Sequence, residues 1–197
     1  MQVLTTNYDF LIERSIRHRQ MYRPPSSGFF YGGFPRPQIL KGASQPFSAW
    51  SPEKLVELSG MIPIFKLHGS LNWSIENGTL VMYQDMRPAH RRGGDAAIVP
   101  PVPEKSVPDW LTNVWREAEE YLRHAGTWVV CGYSLPNYDL QVRDLLRKGA
   151  SQNCSRIFIL DPQSDVLRHT WEEIAPQASI MPLPELPQGI TILATEL

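Results

Sequence analysis

The fold class of this 197-residue chain is decided by residues 127–174, TWVVCGYSLPNYDLQVRDLLRKGASQNCSRIFILDPQSDVLRHTWEEI. Two short apolar runs, 127–131 and 157–160, alternate with segments 140–147 and 164–174, whose apolar residues have helical spacing. Apolar strands that alternate with helices are typical of a parallel sheet with right-handed crossovers. The stretch therefore predicts an α/β fold with an open, mostly parallel sheet and helices on both faces.

The first half of the chain predicts shorter elements. The run 2–5 is apolar and β-branched and predicts a strand, as does the run 63–67. Asn7 or Asp9 can cap a helix that follows the first of these strands, since either side chain accepts hydrogen bonds from free backbone N–H groups. The apolar face of this helix is expected to consist of Phe10, Leu11, Ile12 and Ile16.

A small β-hairpin and the most regular helix of the chain come next. Segments 71–75 and 79–83 flank Asn77-Gly78, and Asn-Gly is a strong signal for a two-residue hairpin turn. The stripe of apolar residues from Trp110 to Leu122 predicts a helix packed on the core. A closing strand is expected at 190–193.

Two stretches rich in Pro and Gly, about 22–52 and 88–108, interrupt the pattern. Proline lacks a backbone donor and fixes φ, so we predict long loops there. Loops of this length in a compact domain are usually lids, binding loops or disordered segments. The chain length favours one domain over residues 1–197.

Composition excludes several classes of protein. The chain has 19 basic and 20 acidic side chains and a formal net charge of -1, so we expect neither a nucleic-acid partner nor a membrane surface. No apolar stretch has the length of a membrane span, and the N-terminus lacks the layout of a secretory signal. The expected location is the cytoplasm.

The two cysteines, Cys131 and Cys154, give no metal-site signal. They lack CxxC spacing and cannot by themselves build a zinc site or a disulfide framework, so we expect no metal cofactor. Cys131 ends an apolar run, which predicts a buried structural thiol.

Four polar clusters follow the predicted strands, at the points where each strand ends. In an open parallel sheet, ligands bind beyond the carboxyl ends of the strands, so these clusters are the candidate site. They are Thr6-Asn7-Tyr8-Asp9, His68-Gly69-Ser70, Gly132-Tyr133-Ser134-Leu135-Pro136 and Asp161-Pro162.

Each cluster also has an ordinary structural interpretation. Asn7 and Asp9 can simply cap a helix, and His68 can be a structural histidine, although an imidazole also suits a general base near neutrality. Gly132 and Ser134 can form only a strand-to-helix turn. Alternatively, Gly132 lets the backbone approach a ligand, and Ser134 offers a hydroxyl or a helix-terminal N–H to an anion.

Asp161 also has both a structural and a functional interpretation. It can cap the helix that follows Pro162, or it can accept hydrogen bonds from ribose hydroxyls, as acids at strand ends do in dinucleotide-binding domains. The sequence of this segment alone leaves both open.

Taken together, the motifs resemble the sirtuin-like (silent information regulator-like) NAD-consuming family. The resemblance rests on Thr5–Asp9, Lys66–Trp73, Gly132–Pro136 and Leu160–Pro162, in that order, and covers nearly the whole chain. It is to the bacterial branch found in NAD-depleting antiphage defence proteins rather than to the protein deacetylases. It implies a Rossmann-like fold and an NAD+ hydrolase (NADase) activity, with NAD as the substrate.

The resemblance also implies roles for individual residues. Asn7 would position the nicotinamide ribose or a water, Asp9 would hold the nicotinamide carboxamide, and His68 would be the general base. Gly132 and Ser134 would contact the phosphate or ribose, and Asp161 the adenosine ribose. The full set of NAD-binding contacts implied beside the three catalytic residues is Thr6, Tyr8, Gly69, Gly132, Ser134 and Asp161.

The chain departs from the family pattern at its start. Members begin with a strand and a glycine-rich turn that cradles the NAD pyrophosphate, whereas here Asn7 is almost the first residue and Gly32-Gly33 comes too late. We therefore expect the first βα unit to be missing and the chain to be a fragment of a longer enzyme. The four-cysteine zinc module of the deacetylases is also absent, which disfavours an NAD-dependent deacylase.

Several functions stay open on the sequence alone. The first is an NAD+ hydrolase, and the second is a non-catalytic sensor or interaction module that binds NAD or ADP-ribose. A degenerate chain with neither activity is the third. A homo-oligomer and a fused or partner effector domain are both compatible with the sequence.

Overall fold

The computed structural model describes residues 2–20, 29–34, 62–83, 96–100, 106–150 and 153–183. The chain divides into two compact units, Met1–Ala118 and Glu119–Leu197. Each unit contains a parallel three-stranded sheet with helices, so the predicted α/β class is confirmed. The expectation of a single domain over residues 1–197 stays a prediction.

The described residues of the first unit form seven strands and helices before helix α2 (Asp109–His124). They are β1 (Val3–Thr5), α1 (Leu11–Gln20), β2 (Phe29–Tyr31), β3 (Ile62–Lys66), β4 (Gly69–Glu76), β5 (Thr79–Met82) and β6 (Ala96–Ile98), and helix α2 continues into the second unit.

A parallel sheet in the order β1-β3-β2 forms the base of the first unit. Its central strand β3 is buried on both faces, and Ile64 and Phe65 are fully buried. Tyr31 of β2 packs edge-on against Trp73 of β4, with ring centroids 5.1 Å apart. These contacts explain why β3 has a continuous apolar run instead of alternation, which is the pattern of a central parallel strand.

The predicted hairpin is confirmed as part of an antiparallel sheet in the order β5-β4-β6. Asn77 and Gly78 both have positive φ, 50° and 77°. A two-residue turn with positive φ at both central positions matches the right-handed twist of the strands, and Asn-Gly tolerates it best.

The second unit is built on a parallel sheet in the order β7-β8-β9. Its elements after α2 are β7 (Thr127–Cys131), α3 (Leu140–Ala150), β8 (Arg156–Leu160), α4 (Ser164–Ile174) and β9 (Ser179–Leu183). Phe158, Leu160 and Leu183 form a buried cluster between the central strand and β9. The alternation of strands and helices predicted for residues 127–174 is confirmed.

Three short strands were not predicted. β2 and β6 lie in the two stretches that were expected to be loops, and each has only three residues, too few to show a period of two. β9 contains Pro182, which lacks the N–H that a strand uses for pairing, but β9 is the outer strand of its sheet in the described part of the chain, and outer strands tolerate proline. The expected strand at 190–193 and most of the two predicted loops lie outside the described residues.

Two predictions about individual side chains were wrong. Cys131 is exposed and not buried; it ends β7, the outer strand of its sheet among the described residues. Its surroundings still disfavour the thiolate, and this desolvation raises the pKa of the Cys131 thiol. On α1, Leu11 is exposed and Glu13 is fully buried, so the helix is rotated from the apolar face that the sequence predicted.

Among the described residues, no helix has the length and apolar character that a membrane span requires.

Gly149 of α3 allows close packing against the end of α2, and this contact gives a stability test. A Cβ at Gly149 would lie 2.5 Å from the Cβ of Leu122. Gly-to-Ala changes within helices ordinarily stabilise by about 1 kcal/mol, but overpacking costs about 1–3 kcal/mol. We expect Gly149→Ala to lower the free energy of unfolding by about 0–2 kcal/mol, the overpacking cost less the helical gain.

Urea denaturation followed by circular dichroism measures this change. Gly126→Ala is the matched control, because a Cβ there would meet only the Asn153 oxygen at an ordinary 3.8 Å. A Gly149→Ala protein more stable than the parent would contradict the packing described for α2 and α3.

Candidate functional site

The pairing of β1 with β3 brings two of the predicted clusters together. The strands are parallel, with Thr5 opposite Lys66, so the segments that follow them leave the sheet at the same edge. The Leu67 N–H donates to the Thr5 carbonyl at 3.0 Å and extends the ladder by one step. The structure therefore places Thr6–Asp9 beside Leu67–Gly69, as the candidate site requires.

Residues Asn7, Tyr8 and Asp9 form a turn between β1 and α1, here called the Asn7 turn. The Asn7 side chain is exposed, and its backbone N–H donates to the Thr5 hydroxyl at 3.1 Å. Asp9 Oδ1 accepts the Leu11 N–H at 3.0 Å. Of the two predicted caps, Asp9 is the one that caps α1, while Asn7 presents its amide to solvent.

Tyr8 connects the turn to the strands beside it. Its hydroxyl donates to the Val99 carbonyl at 2.8 Å, and its own carbonyl accepts the Leu71 N–H at 3.1 Å. Tyr8 is partly buried, and the partners of both hydrogen bonds are backbone groups of this chain. These contacts give Tyr8 a structural role in holding the turn, whatever else it contacts.

The His68 ring lies close to two aromatic rings. The ring centroid of Tyr8 is 6.3 Å from that of His68, and the ring centroid of Trp115 is 6.4 Å away on α2. The Trp115 indole N–H donates to the Leu67 carbonyl at 2.9 Å and fixes this ring beside the loop. Only 2% of the His68 surface is exposed, so in this conformation bulk water does not reach its ring freely.

Gly69, which the resemblance placed against NAD, is required by the protein itself. Its φ is 82°, and an added Cβ would overlap the carbonyl oxygen of Ala97 in β6. The glycine therefore allows β4 and β6 to approach, and its presence alone is no evidence for a ligand.

A buried polar network under the Asn7 turn was missed by the sequence analysis. The Lys66 ammonium lies 3.0 Å from Glu13 Oε1, and both side chains are almost completely buried, at 1% and 0% exposure. The Tyr31 hydroxyl donates to the same Glu13 oxygen at 3.2 Å. Asn72 continues the network, donating from Nδ2 to Tyr31 at 3.4 Å and accepting at Oδ1 from the Ser70 hydroxyl at 2.7 Å.

The sequence carried one signal for this network. Lys66 interrupts the apolar run from Ile64 to Leu67, and a lysine in a buried strand requires a partner. The sequence could not say which carboxylate that partner is.

The remaining predicted residues lie in the second unit. β7 and β8 are parallel with Cys131 opposite Leu160, so the loops that begin at Gly132 and Asp161 leave that sheet at one edge. Gly132 has a φ of 60° and donates its N–H to the Leu160 carbonyl at 3.2 Å. Ser134 is exposed and precedes α3 by six residues, so it does not lie at the helix terminus.

Asp161 has a local structural role. Its Oδ1 accepts the Gln163 N–H at 2.8 Å, and its carbonyl accepts the Ser164 N–H at 2.9 Å. The carboxylate therefore stabilises the turn into α4. The sequence had left capping and ribose binding open; the N-cap of α4 is Gln163, which receives no side-chain hydrogen bond, so Asp161 holds the turn before the helix and does not cap it.

The loop after Gly132 is fixed by internal contacts. Leu135 adopts a positive φ of 52° although its side chain is buried, and the Tyr133 hydroxyl donates to Asp139 Oδ2 at 3.1 Å. Burial, and then the charge of Asp139, raises the pKa of Tyr133, so its phenol keeps the proton that it donates to Asp139 even in alkaline solution. A loop held in this way presents Ser134 from a defined backbone.

A family model described as the SIR2-like domain matches residues 2–178. The chain belongs to the SIR2-like domain family. The resemblance drawn from the four motifs is confirmed, while the bacterial defence branch stays a prediction. No curated protein matches the chain.

Membership of the family supports an NAD-related function in general, with NAD as the substrate of SIR2-like domains. Within the described part of the chain, no group of three or more His, Cys, Asp or Glu side chains is placed to hold a metal ion.

Gly69 and Gly78 provide a matched test of the site's architecture. Gly78 also has a positive φ, 77°, but an added Cβ there would meet nothing within 4 Å. Gly78→Ala should therefore cost only the backbone term of about 1–2 kcal/mol. Gly69→Ala adds an overlap with backbone worth about 1–3 kcal/mol, for a total of about 2–5 kcal/mol.

The free energies of unfolding of both variants, measured in urea, check this difference. Equal costs for the two substitutions would show that β4 and β6 do not approach as closely as described here.

Proposed function

We propose that this chain is the core of an NAD+ hydrolase that cleaves the nicotinamide–ribose bond and releases nicotinamide and ADP-ribose. The observation that carries the proposal is the β1–β3 pairing, which puts the Asn7 turn beside the loop of His68 at the carboxyl edge of a parallel sheet. Ligands of open α/β sheets bind at that edge. Family membership supplies the ligand class.

The chemistry makes modest demands on the protein. As the bond from ribose C1′ to the ring nitrogen breaks, its electron pair goes to nicotinamide, which leaves as a neutral molecule, and the sugar gains oxocarbenium character. The oxygen of water then bonds to C1′ and loses a proton to a base. The protein has to hold the ring, place the water and accept the proton.

The three proposed catalytic residues fit these tasks in different ways. Asn7 is exposed and can hydrogen-bond the nicotinamide ribose or the water. Asp9 uses Oδ1 for its cap, so we assign Oδ2 to the N–H of the nicotinamide carboxamide. His68 is the proposed base, and because it is buried, a ligand oxygen must contact its ring directly.

The proposed NAD contacts beyond these three follow the family motifs. Thr6, Tyr8 and Gly69 border the Asn7 turn and the His68 loop. In the second unit, we assign the phosphate or ribose to Gly132 and Ser134 and the adenosine ribose to Asp161. Asp161 has one carboxylate oxygen in its turn, which leaves Oδ2 for a ribose hydroxyl.

Nicotinamide release from NAD tests the proposal. Asn7→Ala and His68→Gln should each lower kcat by about 10²–10⁴-fold, the range that positioning and general-base groups supply. Gln is chosen for His68 because it fills more of the buried space than Ala would. Asn113→Ala, an exposed Asn on α2, is the matched control and should leave kcat unchanged.

The assay uses the 197-residue chain and also any longer form that its reading frame encodes. Thermal unfolding of each variant separates loss of the fold from loss of chemistry. Unchanged nicotinamide release by a folded His68→Gln protein would remove His68 from the mechanism.

A binding module without catalysis is the second candidate, and the burial of His68 favours it specifically. A histidine with 2% exposure beside two aromatic rings has the environment of a structural residue, and Tyr8 and Asp161 both have structural partners. Calorimetry that detects binding of NAD or ADP-ribose, together with no nicotinamide release, would select this function.

We further propose that the hydrolase acts in the bacterial cytoplasm in antiphage defence, as the similarity of the four motifs to the NAD-depleting branch suggests. Cellular NAD in bacteria that produce the full protein should fall after phage infection and stay constant in cells with the Asn7→Ala variant.

A further inference from the structure

We propose that Lys66 is a positioning residue that sets the Asn7 turn for NAD, an inference that rests on the proposed function and extends it. The Lys66 ammonium donates to the Asp9 carbonyl and lies 3.4 Å from the Asn7 carbonyl. Its third partner is Glu13 Oε1, at 3.0 Å. An ammonium has three N–H donors, so this buried group uses all of them on the turn and on its counter-ion.

The partners of Lys66 lie at both ends of the Asn7 turn. Asn7 and Asp9 are the first and last residues of the turn, and Glu13 lies in the first full turn of α1, the helix that the turn leads into. Lys66 itself is the last residue of β3, directly before the loop of Leu67 and His68. One ammonium therefore joins the turn, the helix after it and the strand that carries His68.

The direction of these bonds determines what the turn presents outward. The carbonyls of Asn7 and Asp9 point inward to the ammonium, and the Tyr8 carbonyl is held by the Leu71 N–H. With all three carbonyls engaged inside, the Asn7 side chain faces outward and is exposed. Loss of the ammonium would leave two carbonyls without this donor and release the peptide planes that orient Asn7.

A purely structural role is the alternative, since a buried ion pair can serve stability or specificity alone. Desolvation of two charges offsets much of their attraction, and apolar pairs of similar volume often replace them without loss of stability. Stability is therefore an insufficient reason for a charged pair here, whereas donors aimed at two carbonyls of a candidate active-site turn require an ammonium.

The double variant Lys66→Met with Glu13→Leu separates the two roles. It removes both charges, so no unpaired charge is left in the core, and it keeps the volume close to that of the parent. Val114→Ala is the matched control, because Val114 is a fully buried residue of the same unit with no contact to the turn among those described. Both proteins are prepared in full length. They are compared under conditions in which the same fraction of each protein is unfolded.

Two measurements are made on each protein. Amide hydrogen exchange of Leu71, whose N–H donates to the Tyr8 carbonyl, reports the order of the turn. It should rise by about tenfold or more over the control in the double variant. The kcat for nicotinamide release should fall by about 10–100-fold with KM changed less than threefold, since misplaced groups lower the rate of the chemical step.

Leu71 exchange equal to that of the control would overturn the inference, and so would faster exchange with an unchanged kcat. If the parent protein releases no nicotinamide, the proposed function fails. The positioning of the turn by Lys66 is then decided by Leu71 exchange alone.

Discussion

A lysine ammonium and a glutamate carboxylate, 3.0 Å apart and shielded from water, lie beneath the turn on which the candidate site depends. An isolated charge in that position would cost several kcal/mol, so neither side chain can be there without the other. This mutual requirement constrains the local fold. It fixes the rotation of α1 so that Glu13 faces inward, and it fixes the end of β3, because Lys66 must reach both the helix and the turn. The geometry around Asn7 follows from these two constraints.

The same pair explains which parts of the fold the sequence could predict. The alternating strands and helices of residues 127–174 have ordinary apolar patterns, and α4 begins and ends where its pattern does. The Asn77-Gly78 hairpin follows from local turn chemistry. Helix α1 follows neither the apolar pattern nor local turn chemistry, because its buried residue Glu13 is charged and its apolar residue Leu11 is exposed. A prediction from amphipathic periodicity assumes that charged side chains face solvent, and a buried ion pair violates that assumption.

The candidate site was predictable as a set of loops but not as a set of contacts. Parallel pairing brings strand ends together, so the neighbourhood of Asn7 and His68 could be inferred from the order of motifs. The environment of His68 could not, because Trp115, which flanks its ring, comes from a helix 47 residues further along the chain. Lys66 was visible only as an anomaly, since 20 acidic residues were available as partners.

The burial of His68 also shapes the chemistry that the site can support. If His68 is the base, as proposed, its 2% exposure lets it exchange protons with a bound ligand or with its neighbours and only poorly with bulk water. Such seclusion strengthens each electrostatic interaction, because less water screens it. The proposed catalysis therefore requires a ligand oxygen within hydrogen-bonding distance of the His68 ring, beside Tyr8 and Trp115. A ligand that contacts only the exposed Asn7 side of the turn would be bound there, but it would not reach the proposed base, His68. The proposed hydrolysis and simple binding therefore differ in how deeply the ligand enters beside the turn, where the Tyr8 hydroxyl donates to the Val99 carbonyl.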